Sequence, residues 1–187
     1  MVEARTRAEQ FDALLTPHLG VLHRVAYRLF RNTPDASDLV QDVCIAACEN
    51  LADLAAVDHP DRWLLRVLHN RFINVVKRRR RAPFEPLDAD PGAAQIASTQ
   101  PGPEDQLQLD DAARVLERAF LQLDEIQRTL LSLRAEGYDL AEIEAITGVG
   151  RQVLRARLHR ARRSLAQHLG RQQGIAPGEA ALPRSAS

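Results

Sequence analysis

Residues 139–169 read DLAEIEAITGVGRQVLRARLHRARRSLAQHL. Asp139 is placed to cap a short helix over LAEIEAIT, Gly148 to close it, and Gly150 precedes a longer helix from Arg151. A short helix, a glycine turn and a longer basic helix make a helix-turn-helix pattern. On the long helix, Leu154, Leu158, Ala161 and Leu165 recur at steps of four, three and four, which puts them on one buried stripe. The opposite stripe carries Gln152, Arg155, His159 and Arg163, with Ala156 between them and Arg157 and Arg160 alongside. Gln and Arg forks match adenine and guanine edges in the major groove, and Ala suits a thymine methyl. Flanking Arg side chains suit phosphates and would set the register. His159 reads equally well as a phosphate contact or a solvated residue. The competing reading of the whole stretch is a helical hairpin with a solvated arginine face.

Outward from this stretch, helical periodicity dominates and no strand alternation stands out. A helix is expected from Arg7 to Leu15. Thr16-Pro17 then opens a piece through Phe30, and Thr33-Pro34 opens a helix to about Leu51. His59-Pro60 opens another that can continue through the basic run to Arg81. Downstream, Pro103 opens a helix to about Phe120, and Asp124 caps one that stops near Gly137. Between the halves lies APFEPLDADPGAAQIASTQPGP, rich in Pro and without helical period. The expected architecture is therefore all-α: two small helical domains, 1–81 and 104–170, joined by a flexible acidic linker, 82–103. The C-terminal domain carries the helix-turn-helix, and a disordered tail is expected over 171–187.

Twenty-five cations balance twenty-five acids in the 187 residues, but they are segregated. Residues 32–61 hold seven acids and no Lys or Arg; residues 62–81 hold eight cations and no acid. Residues 82–113 again hold seven acids and no cation, and residues 151–163 hold six Arg and no acid. Two basic blocks inside a neutral chain point to anionic partners. No apolar run approaches the roughly 20 residues that cross a bilayer, and the N-terminus lacks a signal-peptide core, so a cytoplasmic protein without membrane insertion is expected. Cys44 and Cys48 read as two small buried residues of a helix, and no metal site, cofactor or catalytic constellation is expected.

Two further helix faces carry the functional reading. After Pro60, Leu64, Leu65, Leu68, Phe72, Val75 and Val76 form the apolar side, while Trp63, Arg66, Asn70, Asn74 and Lys77 share another side. An aromatic among cations and amides suits unstacked bases, although Trp63 could equally pack inward. After Pro34, Ala36, Leu39, Val40, Val43, Ala47 and Leu51 form the core side. The outer side is Asp38, Asp42, Ile45 and Glu49 with Gln41 alongside, which repels DNA and suits a basic protein surface, the competing reading being a solvated acidic face. Together these faces describe a protein that touches DNA at two places and a protein partner at a third.

YRLFRNTPDASDLVQDVCIAACENL followed by RWLLRVLHNRFINVVKRRRR resembles the second region of bacterial RNA polymerase sigma factors. LDEIQRTLLSLRAEGYDLAEIEAITGVGRQVLRARLHRARRSL resembles their fourth region. The lack of first and third regions matches the extracytoplasmic-function (ECF) subgroup. The resemblance implies a promoter-specificity subunit rather than an enzyme. Its partners would be core RNA polymerase, through the beta-prime clamp helices and the beta flap, promoter DNA, and an anti-sigma factor. It implies that Asp38, Leu39, Gln41 and Asp42, with Ile45 and Glu49 on the same face, bind polymerase. Trp63, Arg66, Asn70, Arg71, Asn74, Lys77, Arg78, Arg79 and Arg80 would bind the minus-ten element, in a segment broken by a loop near Asn70. Arg151, Gln152, Arg155, Ala156, Arg157, His159, Arg160 and Arg163 would bind the minus-thirty-five element. The linker, with Glu85, Asp88 and Asp90, would thread toward the polymerase cleft and imitate nucleic acid. The chain departs from the family where Gly150, Val153 and Arg155 stand in place of the usual Ser or Thr, Thr and Lys. Rival readings are a dimeric helix-turn-helix repressor and an adaptor that never melts DNA.

Overall fold

The structure is a computed structural model that describes residues 2–81 and 114–172. Among the described residues all regular structure is helical. Helix α1 (Val2–Leu15) runs into a 3-10 turn (Thr16–His18), then α2 (Leu19–Phe30), α3 (Thr33–Glu49), α4 (Leu51–Ala56) and α5 (Pro60–Arg81). The C-terminal half holds α6 (114–121), α7 (Glu125–Ala135), α8 (Leu140–Thr147) and α9 (Arg151–Gln172). The expected linker over 82–103, the start of the helix after Pro103 and the tail after Gln172 lie outside the described residues.

Local chemistry explains most of the boundaries. Asp124 and Asp139 each accept from the backbone of their helix's first turn, and Gln127 and Glu142 reach back to complete two capping boxes. Gly148, at φ 71°, closes α8 in the left-handed conformation that glycine adopts without steric cost. Three expected boundaries move. Asn32, not Thr33, caps α3: its Oδ1 accepts from Asp35 N at 2.8 Å, which leaves Thr33 and Pro34 inside the first turn. Thr16 makes no side-chain cap, and Thr16-Pro17 belongs to the 3-10 turn that lets α2 begin at Leu19. The helix expected to reach Leu51 stops at Glu49, where the Asn50 side chain donates to Ala46 O at 2.8 Å. Helix α5 is continuous from Pro60 to Arg81, so the loop near Asn70 that the resemblance implied is absent.

In the N-terminal half, α2, α3 and α5 pack together around Leu22, Val25, Leu29, Leu39, Val43, Leu64, Leu68 and Phe72, all buried. In the C-terminal half, α8 and α7 meet α9 through Leu130, Leu133, Ile143, Ile146 and Leu154. Burying each such Leu or Ile contributes about 1.5–3 kcal/mol relative to leaving it exposed. The two sets form one continuous apolar cluster, because α7 lies on α2 and α8 lies on α5. Both helical regions expected from sequence are present, and they touch directly.

Candidate nucleic-acid and protein interfaces

Helix α9 is held on the core by Leu154, Leu158 and Ala161, as its four-three spacing requires, while Leu165 is only half-buried. That anchoring turns Arg151, Gln152, Arg155, Ala156, His159, Arg160 and Arg163 to the surface. Arg157 is different: it is half-buried and its Nη1 donates to Asp124 Oδ2 at 3.1 Å. Gly150 offers no capping side chain, but Glu144 supplies one from the preceding helix. Its Oε1 accepts from Arg151 N at 3.2 Å and its Oε2 from Arg151 Nε at 2.6 Å. A carboxylate at a helix N-terminus also complements the helix dipole.

On α5, Asn70, Arg71, Asn74 and Lys77 are exposed, and Arg78 is exposed beside them. Trp63 is half-buried against the apolar cluster, so it shares its ring between packing and surface. Arg79 turns back to Asp35 through two bonds of 2.9 and 2.6 Å and stacks 5.3 Å over the Phe30 ring. The Arg79 guanidinium holds the Asp35 carboxyl below the usual carboxylate range, with Asn32 adding a further hydrogen bond. Phe30 meets Phe72 edge to face at 5.2 Å, and Arg128 of α7 stacks 5.2 Å over Phe72.

On α3, Asp38, Gln41, Asp42, Ile45, Cys48 and Glu49 form an exposed face, with Ile45 48% exposed among acids. Leu39 sits beneath them in the core at 3% exposure, so it can orient this helix but not touch a partner directly. The two cysteines are not the buried pair expected from sequence: Cys48 faces outward because it lies one residue past the core position Ala47, and Cys44 is half-buried, which pushes its thiol pKa up. Among the described residues no cluster of three or more His, Cys, Asp or Glu could hold a metal ion. No helix among them is long and apolar enough to cross a membrane.

A set of contacts that sequence reasoning did not anticipate joins the halves, and it engages Arg66 and Arg80, both expected on the minus-ten surface. Arg62 of α5 donates to Glu142 Oε1 of α8 at 2.8 Å, and Arg66 donates to the Ala145 carbonyl near the α8 C-terminus. His69 Nδ1 meets Thr129 Oγ1 of α7 at 3.2 Å in a buried contact, and Arg80 pairs with Glu125 at 2.5 Å. These four positions, 62, 66, 69 and 80, fall on one stripe of α5. Tyr138 donates its hydroxyl to Asp61 at 3.0 Å, and its pKa rises through burial first and Asp61 second. Glu136, whose side chain is 7% exposed, accepts from both Arg24 and Arg28 of α2. The Arg24 hydrogen bonds hold its carboxyl below the ordinary range, with Arg28 adding to this. Arg31 pairs with Glu117 at 3.0 Å, and the half-buried Arg128 donates to Leu29 O at 2.9 Å, satisfying a carbonyl at the end of α2. Each pair spans at least 45 residues of sequence, so no local pattern could have revealed it.

Comparison with known proteins follows the same two halves. The sigma-70 region 2 family model matches residues 14–82, and the sigma-70 region 4 model matches residues 113–165. The chain is 30% identical over 162 residues to the ECF RNA polymerase sigma factor SigE of Mycolicibacterium smegmatis, covering 86% of this chain and 62% of that protein. It is 28% identical over 162 residues to the ECF sigma factor SigM of Mycobacterium tuberculosis, covering 86% and 77%. The matched part is thus less than two thirds of SigE and about three quarters of SigM. Among solved structures, it is similar to the sigma factor RpoE, crystallised with the anti-sigma factor NepR, from Bartonella quintana. The TM-score is 0.61 at 27% identity, over 85% of this chain and 96% of that one.

Proposed function

This chain belongs to the sigma-70 family of transcription initiation factors, in its ECF branch, and from that we propose how its surfaces work. It binds core RNA polymerase, recognises the minus-thirty-five and minus-ten promoter elements and favours the unpaired form of the latter. Polymerase performs the chemistry, and the chain is not itself an enzyme. The observation that carries this reading is the pairing, in one chain and in family order, of a basic α5 bearing Trp63 with a helix-turn-helix whose outer face is Gln152, Arg155, His159 and Arg163.

The exposed face of Asp38, Gln41, Asp42, Ile45 and Glu49 would meet the polymerase clamp helices, where acids and one apolar side chain complement a basic groove. Asn70, Arg71, Asn74, Lys77 and Arg78, beside Trp63, would hold the minus-ten strand. Stacking there is worth about 1–3 kcal/mol per base and applies to single-stranded DNA but not to duplex. That difference in affinity is what shifts a melting equilibrium. Arg151, Gln152, Arg155, Ala156, His159, Arg160 and Arg163 would read the minus-thirty-five duplex, with Arg157 bracing α9 against Asp124. Cytoplasmic action fits a partner as large as polymerase. Control by an anti-sigma factor is carried over from the RpoE complex.

Run-off transcription with core polymerase on a genomic promoter library tests the reading. Initiation that depends on this chain is expected. The Trp63→Ala/Asn70→Ala variant should keep polymerase binding and lose at least tenfold in open-complex formation. Folded protein that supports no initiation with competent core would refute the sigma reading. Unimpaired melting by the double variant would move the minus-ten site elsewhere.

A further inference from the structure

Arg157 and Arg151 of α9 each meet a carboxylate from another element. Arg157 is half-buried and braces α9 against Asp124. Arg151 is held as closely, its Nε 2.6 Å from Glu144 Oε2, yet its side chain stays 57% exposed. Gly150 occupies the cap position of α9: its carbonyl accepts the first helical bond, from Leu154 N at 3.1 Å. Glu144 Oε1 takes the place of the missing capping side chain by accepting from Arg151 N. One carboxylate of α8 therefore both starts the outward-facing helix and grips the side chain of its first residue.

That grip leaves a defined set of donors. A guanidinium carries its N–H groups in one rigid plane, so with Nε on Glu144 the two terminal nitrogens remain as a fork. A fork ordered before binding loses less freedom when it binds. The Arg151–Glu144 pair has no net charge, so it gains little from a phosphate, and the carboxylate beside it repels one. Guanine O6 and N7 are uncharged acceptors that match the fork. Residues at the start of a recognition helix are the ones that meet base edges. Arg151 is the first residue of α9, next to Gln152 and one turn before Arg155, both exposed.

We propose that Glu144 is a positioning residue for promoter recognition: it holds Arg151 so that the terminal fork reads a guanine edge in the minus-thirty-five duplex rather than a phosphate. This rests on the reading of α9 given above. An acid beside the duplex lowers attraction to every sequence, while the oriented fork raises it for one base pair. The ratio of the two decides recognition among many competing sites. Two substitutions separate the roles of Glu144. Glu144→Gln keeps one acceptor for Arg151 N and replaces the other by an NH2 group, which cannot accept from Nε. Gly150→Ser supplies a cap of its own. A Cβ at Gly150 meets only Glu144 Oε1, at an ordinary 4.0 Å, and the left-handed glycines are Gly137 and Gly148, so serine fits there.

The test selects reconstituted holoenzyme on a duplex library randomised across the upstream element and reads base preference position by position. The wild type should prefer G·C about fivefold or more at one position, and Arg151→Ala should abolish that preference alone. Glu144→Gln should reduce it to below about twofold and leave the other positions unchanged. In the Arg151→Ala background, Glu144→Gln should alter no preference. Glu144→Ala should lower the thermal midpoint of the full chain by about 2–4 °C, and Glu144→Ala/Gly150→Ser should recover the midpoint but not the preference. A guanine preference that survives Glu144→Gln overturns the proposal. So does a loss spread evenly over all positions, which marks a stability effect, or a preference restored by Gly150→Ser, which leaves Glu144 as a cap only. Arg151→Ala with every preference intact puts this side chain on phosphate and overturns it too. A wild type without preference at any position defeats the reading of α9 itself, whereas preferences that Gln152→Ala or Arg155→Ala remove, with Glu144→Gln silent, defeat the positioning role alone.

Discussion

His69 lies on α5 facing α7, 5% exposed and in contact with Thr129, and its pKa is pushed down to about 4 by burial. A buried imidazole without a carboxylate partner is neutral, because the charged form loses hydration. The unfolded chain takes up that proton near the ordinary His value of about 6.5. The unfolded state then binds more protons between those two values, so this contribution is complete above about pH 6.5 and is lost as pH falls toward 4. Urea unfolding between pH 5 and 7 should show stability rising with pH by up to one proton's slope, and His69→Gln should flatten it. An unchanged slope in the variant would place the titration elsewhere. The sequence did reveal the outward residues of α9 and the acids of α3, since periodicity alone assigns a side chain to a helix face. It did not reveal that Arg157, read as a phosphate contact, is tied to Asp124, because that partner lies 33 residues away on another helix.

The caps carry the next scale. Asp124 opens α7 and simultaneously anchors Arg157 of α9. Asp124→Ala should cost about 1 kcal/mol, the usual loss for an N-cap aspartate, and chemical denaturation of the full chain measures it. Asp124→Asn should recover most of that loss through the cap and leave Arg157 without its ion pair. Caps of this kind were legible: Asp124 and Asp139, each followed three residues later by Gln or Glu, announce helix starts directly. So was the buried stripe of α3, whose Ala36, Leu39, Val40, Val43 and Ala47 are all in the core. The cap of α9 was not legible. Glu144 reaches Arg151 only because the tight turn at Gly148 folds α8 back beside it. The break at Asn50 was also missed, since Leu51 continues the three-four apolar spacing of Val40, Val43 and Ala47 through it.

At the scale of the whole molecule, reach and docking oppose each other. Shortening the 32-residue connection to about ten residues limits it to roughly 35 Å, far below the separation of two promoter elements. Footprinting of the reconstituted holoenzyme should then show loss of simultaneous protection at both elements. A Gly/Ser connection of the original length should retain it, and protection by the short chain would refute the spanning geometry. The all-α class, the two helical regions, the helix-turn-helix and the charge blocks followed from sequence, because each depends on residues within one or two turns of each other. The docking of α8 on α5 and α7 on α2 did not follow. It joins residues up to 112 positions apart, such as Arg24 with Glu136, and Arg80 reads as free until Glu125 is located beside it. Local spacing fixes which way a side chain points on its own helix. Only the folded chain decides what that side chain meets, since ion pairs and apolar contacts between helices depend on distance in space and not on separation along the chain.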